Sequence, residues 1–253
     1  MSPDSPTPRI SVITATYNRV QSLEQAVRSV QAQTWPAVEH VLVDGASTDG
    51  SPELLRRLVR PGDVLLSEPD QGIYDALNKG LRLATGDVVG FMHSDDFFAD
   101  PTILARVAAA FADPAVDAVY GDLDYVAKEA PDRIVRRWRS RAYDPSLLGR
   151  GWMPAHPTLY LRRRVIERWG GFDTRFRIAA DYDAILRYFG QGKVHAVYLP
   201  VVMVKMRLGG ESNRSLGRIL TKMREELQAL RRNGVGGAGA LFLKNTSKLR
   251  QFI

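Results

Sequence analysis

The sequence predicts an α/β protein with a mainly parallel sheet flanked by helices, and three observations carry that reading. β-rich runs and amphipathic segments alternate through residues 10–100; Val88-Val89-Gly90-Phe91-Met92 is apolar without the alternation of a half-solvated strand; and polar clusters follow directly after the strands. Alternating elements build a parallel sheet covered on both faces, and a strand buried on both faces loses its period of two. The chain has 253 residues, 45% hydrophobic and 25% charged, enough for one core-bearing unit with a small appendage.

The elements follow in order. Ile10 to Thr16 is the first strand; Ser22 with Gln25 then forms a capping-box signature ahead of Leu23, Ala26, Val27 and Val30 at helical spacing. His40 to Val43 is the second strand and runs into the polar loop Asp44 to Gly50, after which Ser51 reads as a cap and Pro52 as the first helical position. Val64 to Leu66 is a third strand, Tyr74 to Ala84 a helix closed by Gly86, and Val88 to Met92 the fourth strand. The second half is less regular: a helix after Asp100-Pro101, a strand around Ala118-Val119-Tyr120, a basic stretch 133–141 and a Gly- and Pro-punctuated stretch 148–157. Helices follow at Arg163 to Trp169 and Asp181 to Phe189. A final helix, Leu216 to Arg231, precedes a glycine-rich hinge at 234–239 and a short basic, apolar tail. Residues 1–9 read as a loose leader with three prolines and without the apolar core of a signal peptide. The apolar stretch Val197 to Val204, broken by Pro200, falls far below the ~20 residues that span a bilayer.

The formal charge of +7 is unevenly placed: residues 1–132 carry 10 Lys/Arg against 20 Asp/Glu, and residues 133–253 carry 25 against 8. A basic balance, with a pI of 9.8, raises nucleic acid as a partner. Against that, the acidic half has the sheet and its loops, and the basic half has no nucleic-acid motif. The lack of cysteine excludes disulfides, thiolate metal sites and cysteine nucleophiles, and suits a reducing cytoplasm.

Ligands of open α/β sheets bind beyond the carboxyl ends of the strands, where Tyr17-Asn18-Arg19, Asp44 to Asp49 and His93-Ser94-Asp95-Asp96 fall. No strand runs into G-x-G-x-x-G and no G-x-x-x-x-G-K-[ST] occurs, which removes the Rossmann dinucleotide and P-loop readings. Adjacent carboxylates such as Asp95-Asp96 repel, and a hard divalent cation is the usual compensation; the plainer reading is that one of them caps the following turn.

Several ordered pieces resemble the family 2 glycosyltransferases, whose fold is called GT-A: Ser11 to Asn18, Val43 to Ser51, Gly72 to Gly80, Gly86-Asp87, Ser94-Asp95-Asp96, Gly170-Gly171-Phe172-Asp173 and Ala180-Asp181. The likeness covers most of residues 10–215 and is strongest to soluble, non-processive bacterial enzymes of exopolysaccharide, O-antigen or glycolipid synthesis. It implies a nucleotide-sugar half at 10–100, an acceptor half at 101–215 and a basic C-terminal helix and tail at 216–253. Tyr17 would stack on the nucleotide base and Asp44 would accept a hydrogen bond from it, although most members carry a second acidic residue where this chain has Gly45. Asp96 would hold Mn²⁺ or Mg²⁺ on the diphosphate of a UDP-sugar or similar donor, with Asp95 nearer the ribose or sugar. Asp181 matches the general base of an inverting transfer, where members commonly have Glu-Asp in place of Ala180-Asp181; it could also simply cap its helix.

His156, within Pro154-Ala155-His156-Pro157, is a candidate for the metal or for phosphate, since neutral imidazole serves both, and a lone His beside Pro also suits a structural role. Arg207, ahead of Gly209-Gly210-Glu211-Ser212, is placed to neutralise phosphate beside a closing segment, a stretch that reads equally as an exposed turn. Asp75 and Asn78 are candidate donor or acceptor contacts, while Tyr74 and Leu77 suit packing. The Q-x-x-R-W motif of processive members is missing, since Arg136-Arg137-Trp138 lacks the Gln, so one sugar per encounter is expected. Lys222, Arg224, Arg231, Arg232, Lys244, Lys248 and Arg250 among leucines and phenylalanines suit either attachment to anionic lipid on the inner membrane face, near a glycan or lipid-linked acceptor, or a solvated helix packed by its leucines. Two other classes compete: a sugar nucleotidyltransferase, whose Gly-rich basic phosphate loop is absent, and a non-catalytic carbohydrate-binding relative.

Overall fold

The structure is a computed structural model and describes residues 7–209 and 216–247. The first half alternates as expected: β1 (Ile10–Thr16), α1 (Val20–Gln31), β2 (Val38–Asp44), α2 (Ser51–Leu58), β3 (Val64–Ser67), α3 (Ile73–Leu83) and β4 (Val88–Phe91). The second half holds β5 (Phe97–Phe98), α4 (Ile103–Ala110), β6 (Ala118–Val126), β7 (Ile134–Trp138), β8 (Tyr160–Arg162), α5 (Arg163–Trp169), α6 (Ala180–Leu186), β9 (Ala196–Arg207), α7 (Leu216–Arg232) and α8 (Ala238–Ser247). One π-type turn, Arg187–Gln191, prolongs α6.

Among the described residues the strands form one sheet in the order β3-β2-β1-β4-β8-β6-β9-β5, with β7 paired to β6. The block β3-β2-β1-β4 is parallel throughout. Beyond it the sheet is mixed: β8 runs antiparallel to both β4 and β6, β5 antiparallel to β9, and β7 antiparallel to β6, while β6 and β9 are parallel. Parallel neighbours need a long crossover, which the first half supplies with α1, α2 and α3; β6 and β7 are joined by a short loop and so must pair antiparallel. The predicted parallel sheet is thus a property of the first half, and β5, β7 and the long β9 went unread because they are short, basic or broken by Pro200. Every residue of β1 is buried, between a layer containing Leu23, Ala26 and Val27 of α1 and one containing Ala76 and Leu77 of α3.

One local expectation is corrected and one open alternative is decided. The helix after β1 starts at Val20, so Ser22 lies inside its first turn; the cap comes from another loop, Asp49 accepting from the Val20 N–H at 3.0 Å. Of the two readings of the C-terminal segment, packing by its leucines is the one seen in the fold. Ala229, Leu230, Ala240 and Leu241 share a buried cluster with Leu148, Tyr182 and Phe189. Lys244 belongs to this packed end: it is 4% exposed, 2.9 Å from Glu226 Oε1 and 3.1 Å over the Tyr182 ring. Residues 210–215, which include most of the expected closing segment, and Lys248 and Arg250 lie outside the described residues.

Candidate active site

The loop after β1 puts Tyr17 at the surface, 59% exposed, as a stacking face requires. Asn18 follows in the left-handed region at φ 50°, its N–H donating to Ser47 Oγ at 2.8 Å and its Oδ1 accepting from the Thr48 N–H at 2.9 Å. The loops after β1 and β2 are therefore one hydrogen-bonded unit.

Asp44 lies beneath that unit, fully buried, accepting from the Ser47 N–H at 3.2 Å and from Ser67 Oγ at 2.7 Å. With its oxygens engaged inside, it organises the loop, and the expected base contact does not reach the surface through it. Asp70, which the sequence reading passed over, faces the cleft instead. A Cβ on Gly45 would come within 2.2 Å of Asp70 Oδ2, so the missing side chain at 45 is what admits the Asp70 carboxylate beside Tyr17. Lys79 holds the Asp70 loop by donating to Pro69 O at 2.6 Å and pairing with Glu68 at 2.7 Å.

The turn after β4 carries Asp95 and Asp96 into the same cleft. Asp96 is 1% exposed; its Oδ1 accepts from the Arg207 N–H at 3.1 Å, while Oδ2 is buried without a partner. Burial, and then the charge of Asp95, push its carboxyl well above the usual range. A divalent cation shared with a diphosphate would relieve both the orphaned oxygen and the repulsion, so this pair fits the metal that the fold implies. Among the described residues no group of three or more His, Asp or Glu could hold an ion alone, so the remaining ligands would have to come from substrate and water. Arg207, expected on phosphate, is committed to bracing this turn: Nη1 donates to Asp95 O at 2.6 Å, Nη2 bonds Gln25, and the guanidinium lies 5.1 Å over the Phe97 ring. Arg19, from the polar cluster after β1, lines the cleft together with Arg177 and Arg218, which sequence reading did not single out.

Across the cleft, the first turn of α6 presents Asp181. Its Oδ1 accepts from the Tyr74 hydroxyl at 3.1 Å and its Oδ2 faces His156 Nδ1 at 3.2 Å. Burial would raise this carboxyl, but His156, Lys244 and hydrogen bonds from the Tyr182 N–H and Tyr74 outweigh it and hold it below the usual range. Asp181 is therefore ionised at neutral pH. Burial pushes His156 down to about 4 against the pull of Asp181, so its ring is neutral. An ionised carboxylate only accepts, which puts the His156 proton on Nδ1 and turns its Nε2 lone pair to His93 Nε2, 3.2 Å away. The expectation that His156 ligates a metal thus meets a ring whose two nitrogens already have partners, and His93 joins the site unforeseen. Tyr74, expected only to pack, bridges the Asp181 carboxylate and the Ile178 carbonyl, 2.7 Å away.

Asp75 and Asn78 are not brought to the cleft. Asp75 accepts from the Gln71 N–H at 3.1 Å and lies 3.8 Å from Lys79, fixing the start of α3. Asn78 makes a two-way bond with the Phe172 backbone, at 2.8 and 2.9 Å, and a Cβ on Gly171 would meet its Oδ1 at 2.5 Å. The Gly170-Gly171-Phe172 stretch is thus a latch between α3 and the acceptor half.

The result is one cleft of about 770 Å³ with Tyr17, Asp70, Asp95 and Asp96 on one side and His156, Arg177, Asp181 and Arg218 on the other. It can seat an anionic ligand that carries an aromatic base, with the Asp181 carboxylate opposite. Comparison with known proteins agrees. Residues 11–170 match the model of "Glycosyl transferase family 2". A Mycobacterium bovis protein named PGL/p-HBAD biosynthesis glycosyltransferase is 34% identical over 220 residues, 81% of this chain and 80% of its own. An uncharacterized glycosyltransferase of Mycobacterium tuberculosis is 33% identical over 186 residues, 71% of this chain and 68% of its own. Among solved structures, a mannosyltransferase from Pyrobaculum calidifontis, in complex with GDP-Man and Mn²⁺, superposes with a TM-score of 0.68 at 25% identity, over 96% of this chain and 72% of that one. The S. aureus TarS fragment in complex with UDP shares the fold alone, with a TM-score of 0.63 at 18% identity over 88% of this chain and 65% of that one. With a GT-A fold, a family match over most of its length and glycosyltransferases as relatives, the chain is an enzyme that belongs to glycosyl transferase family 2.

Proposed function

We propose that the enzyme transfers one sugar per encounter from a nucleotide-diphospho-sugar to a hydroxyl of a glycan or lipid-linked acceptor, with inversion and with help from Mn²⁺ or Mg²⁺. The observation that supports this most is the placement of the Asp181 carboxylate, held between Tyr74 and His156 and lining one cleft with Tyr17, Asp70 and Asp95-Asp96.

Each residue then has a task. Tyr17 stacks on the base and Asp70 accepts a hydrogen bond at its edge. Asp95 and Asp96 would hold the cation, which when bound neutralises the diphosphate as it leaves. Asp181 takes the proton of the acceptor hydroxyl as that oxygen bonds to the anomeric carbon and the carbon–diphosphate oxygen bond breaks on the opposite side. His156 and Tyr74 keep the carboxylate aimed and ionised.

The acceptor reading extends to a membrane face. Ile219, Leu220 and Met223 on α7 and Phe242 and Leu243 on α8 are exposed, Leu220 and Phe242 to 57% and 67%, among Arg218, Lys222 and Arg224. Among the described residues no helix is long and apolar enough to cross a membrane. Anionic lipid under such a strip would bring a lipid-linked acceptor to the cleft that Arg218 lines.

A nucleotide-release screen with UDP-, GDP- and dTDP-sugars, with and without Mn²⁺ or Mg²⁺, tests the core of this reading. Hydrolysis of one donor that EDTA abolishes supports it; metal-independent release removes the cation. For the membrane part, Leu220→Asp with Phe242→Asp should lower flotation with phosphatidylglycerol vesicles, and unchanged flotation removes it. Deleting 216–253 would be a poor substitute, because it also takes Leu230 and Leu241 from the core.

A further inference from the structure

The base lies on a helix that cannot cap itself. α6 runs over Ala180–Leu186 and its N-cap position is Ala179, which has no side chain able to accept from the first-turn N–H groups. What holds this end of the helix is a clamp on the backbone just ahead of it, from Glu225 near the middle of α7. Its Oε1 accepts from the Arg177 N–H at 3.0 Å, and its Oε2 accepts from the Ile178 N–H at 2.8 Å and the Ala179 N–H at 3.0 Å. Three consecutive backbone donors converge on one carboxylate, directly ahead of Asp181.

The neighbouring contacts fix the same piece of chain. The Ile178 carbonyl, between those donors, accepts from the Tyr74 hydroxyl that also reaches Asp181. Asn233, just past the end of α7, donates to Asp183 Oδ1 at 2.9 Å, and Glu226 pairs with the Lys244 that lies over Tyr182. Glu226, Ala229, Leu230 and Asn233 are buried at helical spacing, so α7 presses one face on α6 while Glu225 flanks it. Residues on both sides of Asp181 are thereby tied to a helix more than forty positions away. A carboxylate with three charge-assisted hydrogen bonds is a stiff clamp, and a base displaced by about 1 Å can lose ~10²-fold in rate.

We propose that Glu225 is a positioning residue for transfer: by clamping the 177–179 backbone it sets the height and direction of Asp181 at the cleft, making α7 part of the catalytic apparatus. This rests on Asp181 being the base, so that assignment is checked in parallel.

In the full chain, Glu225→Ala should lower kcat for nucleotide release from the donor found in the screen by about 10²-fold, as misplacement of a base does. Its donor KM, and the affinity for UDP or GDP with Mn²⁺, should stay within about twofold, because loss of an aimed base is felt in the transition state. Glu225→Gln keeps an amide oxygen that can accept two of the three bonds and should recover to within about tenfold of the wild type. Arg232→Ala, which removes another tie from α7, to Asp173, is the control and should keep its kcat. A kcat for Glu225→Ala equal to that of Arg232→Ala overturns the proposal. So does a parallel loss of kcat, nucleotide affinity and melting temperature, which would make the clamp structural only. If Glu225→Ala does not fold, Glu225→Gln decides alone: lower kcat at unchanged donor KM supports the clamp, and unchanged kcat overturns it. Full transfer by Asp181→Asn would remove the base assignment and this proposal together, whereas an inactive Asp181→Asn beside a fully active Glu225→Ala would remove the clamp alone.

Discussion

The two walls of the cleft are built by opposite means. On one side, Tyr17, the 44–50 loop, Asp70 and Asp95-Asp96 all follow strands of a parallel block, and the first three loops are joined by hydrogen bonds such as Asn18 to Ser47 and Thr48 and Ser67 to Asp44. On the acceptor side, Asp181 owes its place to Tyr74, His156, Glu225 and Lys244, which come from four distant parts of the chain. The first wall is mainly a series of loop solutions repeated along a sheet, with Arg207 of β9 bracing the last of them; the second is a single tertiary assembly. Substitutions on the donor side should therefore act on one ligand contact, and those on the acceptor side on turnover or on the fold as a whole.

The largest expected effect tests that division directly. Asp181→Asn should lose about 10²–10⁴-fold in turnover, the range for removing a general base, while still binding nucleotide with Mn²⁺. Weakened nucleotide binding in this variant would blur the two walls into one. Next comes Lys244→Ala, which leaves Glu226 buried and unpaired and should cost about 3–5 kcal/mol in chemical denaturation. A much smaller cost would mean that α8 is an appendage rather than part of the acceptor wall.

On the donor side, Gly45→Ala forces its Cβ against the Asp70 carboxylate and should cost about 1–3 kcal/mol of stability or, if Asp70 swings out, weaken nucleotide affinity by a similar amount. Neither change would mean that Asp70 yields freely. The smallest effect concerns His40 on β2, fully buried against Thr14, which burial and Arg60 push down to about 3 from 6.5. The unfolded chain binds this proton more readily, so stability present above pH 6.5 falls as the pH drops toward 3. Between pH 6.5 and 5.5 the loss through this one group is about 1 kcal/mol. A urea midpoint that does not change over that interval would contradict it, and the drop should shrink in His40→Gln.

The same contrast governs how much could be read from the residues. Strand-loop-helix periodicity and the polar runs after each strand are local, so the parallel block, Tyr17, Asp95-Asp96 and the position of Asp181 were legible in the sequence. What local pattern could not carry was direction and partnership. Asp44 and Asp70 are both acidic loop residues, and only the space left by Gly45 turns Asp70 outward while Asp44 is spent on Ser47 and Ser67. Arg207, Asp75 and Asn78 have the chemistry of ligand contacts, yet nearer protein partners claim them, as burial demands of polar groups. His156 carried a signal in being a histidine beside proline at the site, but whether it met metal, phosphate or carboxylate depended on which helix came beside it.

Sequence by itself thus determined the class of fold, the parallel block and the acidic pieces that line the cleft, because periodicity and short motifs are set by neighbours along the chain. Only the tertiary structure decided which carboxylate reaches the cleft, that Lys244 is a core cation, and that α7 holds the base helix. Those outcomes depend on contacts such as Glu225 to Ala179, separated by 46 positions, whose energy exists only once the chain has folded around them.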